Sequence, residues 1–67
     1  MSFFPIKVKS FEHIIKMFDL TDMIILCAKT DAGDIDMLVS KDKVLEYETG
    51  IRNSVAKYDL VIKGIRR

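Results

Sequence analysis

The sequence predicts an α+β domain of two layers, and three observations predict it. Its apolar spacing switches repeatedly between the two-residue period of strands and the longer period of helices. Each switch falls at a residue suited to cap a helix or make a turn. Of the 67 residues, 49% are hydrophobic, enough for one folded domain over 1–67 and too short a chain for a second.

Phe4, Ile6 and Val8 alternate with Lys7 and Lys9, the period of a half-buried strand. Ser10 offers a helix N-cap. After it Phe11, Ile14, Ile15 and Phe18 share one face, and Glu12, Lys16 and Asp19 the other. Asp19-Leu20-Thr21-Asp22 stops this helix. Met23 to Ala28 is a run of six apolar residues, rich in β-formers and too short for a typical helix, so it reads as a strand. Thr30-Asp31-Ala32-Gly33-Asp34 is turn chemistry, and Ile35 to Val39 returns as the second arm of a hairpin. Ser40 is a second N-cap. Val44, Tyr47, Ile51, Val55 and Tyr58 then fall on one side of a helical wheel, although Gly50 inside that helix costs about 1 kcal/mol relative to alanine. Asp59 to Lys63 reads as the final strand.

Strand, helix, strand, strand, helix, strand is the split-βαβ, or ferredoxin-like, order: a four-stranded antiparallel sheet with two helices on one face. In that arrangement strand 23–28 is an edge, and an apolar edge invites pairing with another chain. A competing reading is a helix plus a β-meander with residues 43–49 as a strand, because Leu45, Tyr47 and Thr49 also alternate. The five-residue helical face outweighs that alternation.

Eleven basic residues against ten acidic ones give a net charge of +1, too balanced for a general nucleic-acid or membrane binder. The distribution is uneven. Residues 31–48 hold Asp31, Asp34, Asp36, Asp42, Glu46 and Glu48 against Lys41 and Lys43, while residues 52–67 hold Arg52, Lys57, Lys63, Arg66 and Arg67 against Asp59. Cys27 is the single cysteine, so no disulfide forms within the chain. Pro5, Lys7 and Lys9 break the apolar start, so no signal peptide is expected. No apolar run approaches the roughly 20 residues that cross a bilayer. A reduced, cytoplasmic setting is expected.

If Phe4, Ile6, Val8, Ile24, Leu26, Ile35, Met37, Val39, Leu60 and Ile62 point at the helices, alternation leaves Lys7, Lys9, Ile25, Cys27, Asp36, Leu38, Val61, Lys63 and Ile65 on the far face. A solvated sheet face is ordinarily polar. Here Ile25, Cys27, Leu38, Val61 and Ile65 form an apolar patch rimmed by lysines, and such patches mark association surfaces. A register one residue off, or a C-terminal tail folded over the patch, would turn it into ordinary core.

No set of residues with catalytic spacing emerges. His13, the one histidine, sits on the polar flank of the first helix with no cysteine or second histidine at zinc-ligand spacing. Cys27 lies among Ile and Leu, where nothing lowers a thiol pKa, and reads as a small apolar filler. Asp31, Asp34 and Asp36 lack the further oxygen ligands and terminal glutamate of a calcium loop. Gly33 to Val39 followed by Val44 to Glu48 resembles the central hairpin of restriction-type nuclease folds, in which Asp36 would take the first metal position. The resemblance stops there, because Glu46-x-Glu48 and Glu48-x-Gly50 both lack the second strand's lysine. Val8-Lys9-Ser10-Phe11 has no copper-chaperone Cys-x-x-Cys, and strand 35–40 carries no aromatic on which RNA bases could stack.

The expectation is therefore a non-enzymatic module, without cofactor or metal. It would self-associate as a homo-oligomer or bind a larger protein, as a regulator or inhibitor of the size that phages and mobile elements encode. The alternative is a nucleic-acid-binding module using Lys7, Lys9, Lys63, Arg66 and Arg67, whose binding would depend strongly on salt.

Overall fold

The computed structural model describes residues 4–66. Their elements run β1 (Ile6–Lys7), α1 (Phe11–Met17), β2 (Met23–Thr30), β3 (Gly33–Ser40), α2 (Lys41–Glu46), α3 (Glu48–Lys57) and β4 (Asp59–Arg66). Local chemistry sets most of the boundaries. The Ser10 hydroxyl accepts the His13 N–H at 3.1 Å and the Ser40 hydroxyl accepts the Lys43 N–H at 3.3 Å, so both expected N-caps are made. In the hairpin turn, the Thr30 hydroxyl donates to the Gly33 carbonyl at 2.6 Å and accepts the Ala32 N–H at 3.2 Å. Gly33 has φ +120°, a conformation that a Cβ disfavours.

One antiparallel sheet has the strand order β1-β4-β2-β3. This corrects the expected position of strand 23–28. It is not an edge, because β2 pairs with β3 on one side and β4 on the other. The split-βαβ reading required that edge. The most apolar strand instead takes the place with two neighbours, and the strand carrying Asp34 and Asp36 takes the edge, where its carboxylates stay in water.

The helix-side core joins Val8, Phe11, Ile14, Ile24, Leu26, Ala28, Val44, Leu60 and Ile62. Residues 43–49 are not a strand: α2 runs through Glu46 and α3 begins at Glu48. The single long helix is corrected as well. Tyr47 (φ −105°, ψ 31°) leaves helical geometry and breaks it in two. The apolar face of the wheel survives the break at three of its five positions. Val44 is buried and Ile51 and Val55 pack on the core, but Tyr47 and Tyr58 are exposed.

A second irregularity sits in β4. Leu26 faces Ile62 while its neighbour Ile25 faces Gly64, so Lys63 is an extra residue, a β-bulge. Beyond it the inside–outside phase reverses. Ile65, expected on the far face, lies opposite the core residue Ile24 and packs against the core.

Candidate interaction surface

The far face of the sheet is more closed than its sequence suggested. Of Ile25, Cys27, Leu38, Val61 and Ile65, only Leu38 is exposed; Cys27 and Val61 are buried and Ile25 is half-buried. Ile65 leaves this face at the bulge, and two ion pairs lie beside Cys27 and Val61. Lys63 on β4 donates to Asp36 on β3 at 3.0 Å. Because β2 lies between those strands, the Lys63 stem must cross over β2, where Cys27 faces both Asp36 and Val61. Lysine stems cover apolar surface in this way while the charged head stays wet. Lys7 on β1 reaches Asp59 on β4 at 3.6 Å, flanking Val61, which is Lys7's cross-strand partner.

The electrostatics follow from this strap. Burial, then the neighbouring Asp36 carboxylate, pushes the Cys27 thiol up, away from the thiolate that a nucleophile needs. The same thiol and the Lys63 ammonium hold Asp36 below the usual carboxylate range, and Asp36 in turn raises Lys63.

Open apolar surface lies instead along the edge strand β3. Residues 33–38 are all exposed. Ile35, Met37 and Val39 lie opposite Ala28, Leu26 and Ile24, so they share the helix side of the sheet. The helices do not reach far enough to cover them: Ile35 is 53% and Met37 42% exposed, and on the other face Leu38 is 45% exposed. Between β3 and the α2–α3 junction runs a groove of about 500 Å³, lined by Met37, Val39, Lys43, Tyr47 and Ile51 with Leu26 at its floor and Leu38 at its rim. Its aromatic wall is Tyr47, the residue at the helix break, which is 59% exposed.

The two edges of the sheet differ. β1 is two residues long, preceded by Pro5 and carrying Lys7, the usual protections of an edge. β3 has eight residues with neither proline nor lysine, and no bulge interrupts its pairing. Its exposed edge was legible as a hairpin arm; that it stands at the rim was not, because rim position depends on where β4 pairs.

The five cations proposed for nucleic acid are only partly drawn together. Lys7, Lys63 and Arg66 lie on the far face, but Lys7 and Lys63 are held by Asp59 and Asp36. Lys9 is exposed just before α1, with its backbone N–H donating to His13 Nδ1 at 3.2 Å. Arg67 lies outside the described residues. The second strand needed for a nuclease-like hairpin is absent, since Val44 to Glu46 is helical. Among the described residues no group of three or more His, Cys, Asp or Glu could hold a metal ion, and no helix is long and apolar enough to cross a membrane.

No family model, curated protein or solved structure matches this chain. Its reading rests on its own surfaces.

Proposed function

We propose that this chain is a non-enzymatic protein-interaction module that adds a strand from its partner to the edge strand β3 and seats apolar side chains in the adjoining groove. One observation carries the reading: an eight-residue edge strand with exposed Ile35, Met37 and Leu38, next to an apolar groove with an aromatic wall. Strand addition draws affinity from main-chain hydrogen bonds and specificity from pockets for alternate side chains. β3 and its groove offer both.

The test is to pan the immobilised protein against displayed extended peptides. Peptides that bind the wild type should lose about tenfold or more in affinity for Met37→Asp and Ile35→Asp, since each substitution places a charge among apolar contacts. Both residues are exposed, so the circular-dichroism spectrum of each variant should match the wild type. Binders indifferent to both substitutions, or a library yielding no binder for a wild type that stays monomeric, defeat the reading.

A further inference from the structure

Resting on that reading of β3 as the contact strand, we infer that its occupant is a second copy of this chain, paired antiparallel through β3 about a two-fold axis at Met37. Two identical antiparallel strands related by such an axis place one residue opposite itself, and every other pair follows from that choice. Charge selects the residue. An axis at Ile35 sets Asp34 against Asp36, and an axis at Asp36 sets that carboxylate against itself. An axis at Leu38 brings Asp34 toward Asp42. Like charges directly opposite are destabilising. An axis at Met37 avoids all three: Met37 meets Met37, Ile35 meets Val39, Asp36 meets Leu38 and Asp34 meets Ser40. The two apolar pairings fall on the helix side, where each copy's groove opens.

The charges flanking β3 agree. Asp31 and Asp34 stand at its beginning and Lys41 just beyond its end. Among the described residues these three enter no ion pair within the protomer. In the antiparallel pairing Lys41 comes opposite Gly33 of the other copy, next to its Asp34 and near its Asp31, and symmetry repeats the match. Parallel pairing would set acid beside acid. The complementarity is built into one strand, which is what an isologous interface requires.

Sedimentation equilibrium of the full chain tests this. Wild type should dimerise, more weakly as salt rises. Lys41→Glu makes both ends of the strand acidic, and Asp31→Lys with Asp34→Lys makes both basic. Each should weaken self-association by about tenfold or more, and an equimolar mixture of the two should recover it as a heterodimer. Met37→Cys should oxidise to a covalent dimer, because a residue facing itself across an antiparallel pair lies within disulfide reach. Ile35→Cys should not, since in this register it faces position 39. A wild type that stays monomeric at every concentration overturns the inference. So does a dimer that ignores the charge variants and fails to cross-link at position 37. Displayed peptides that bind β3 of a monomeric wild type would refute the second copy while leaving the strand-addition reading standing.

Discussion

Thr21 is the buried polar side chain among the described residues, and its hydroxyl lies 3.1 Å from the Met23 carbonyl and 2.8 Å from that of Arg66. It thereby ties the loop after α1 to the start of β2 and the end of β4. Thr21→Val keeps the shape and removes the donor, so it should lower stability by about 1–3 kcal/mol, the cost of an unmet buried hydrogen bond. Urea denaturation measures this, and an unchanged midpoint would contradict it. The sequence marked Thr21 as part of a helix stop, but its second partner lies 45 residues away, beyond any local pattern. Arg52 is comparable. It bonds Glu12 at 2.6 Å and Glu48 at 2.7 Å and stacks 4.6 Å over the Phe11 ring, joining α3 to α1. Arg52 itself holds the Glu12 carboxyl below its ordinary range. In the sequence it was one of five bases near the C-terminus.

At the scale of elements, the strap from β4 across β2 to β3 is the feature with a pH signature. Asp36 is depressed in the fold, first by the Cys27 thiol and then by Lys63. Its contribution is therefore complete above the ordinary carboxylate pKa and disappears as pH falls through the depressed value. Lys63 and Cys27 are raised, so their contributions are complete below their ordinary values and disappear as pH climbs through the raised ones. Stability should hold a plateau between these limbs. Asp36→Asn should lower Tm on the plateau and flatten the acid limb, with the gap to wild type closing as pH falls through the depressed Asp36 value. A constant gap at all pH values would show that the carboxylate's charge is not what matters. Periodicity located every strand and both helical stretches. It missed the break at Tyr47 and the bulge at Lys63, and these decide which way Tyr47 and Ile65 face. A strict alternation carries its phase through a bulge; the backbone does not.

For the whole molecule, the consequence is where the uncovered apolar surface lies. The helices cover the centre of the sheet, the lysine strap closes much of its far face, and the rim at β3 is left open. If two copies join there, folding and association are linked, and Tm should rise with protein concentration. Met37→Asp should abolish that dependence while leaving the circular-dichroism spectrum unchanged. Differential scanning at two widely separated concentrations decides it, and a wild-type Tm independent of concentration would count against linkage.

By itself the sequence determined the α+β class, the order of strands and helices along the chain, both serine caps, the hairpin and the core-facing side of Ile24 and Leu26 in β2. These follow from neighbours within a few positions, where side-chain period and capping chemistry act. Tertiary structure alone decided the strand order, and with it that β3 rather than β2 is the rim. It also decided that Lys63 closes over Cys27 and that an apolar groove opens beside β3. Pairing partners come from the far end of the chain, and one inserted residue in a strand reverses every side chain beyond it. Local spacing holds no record of either.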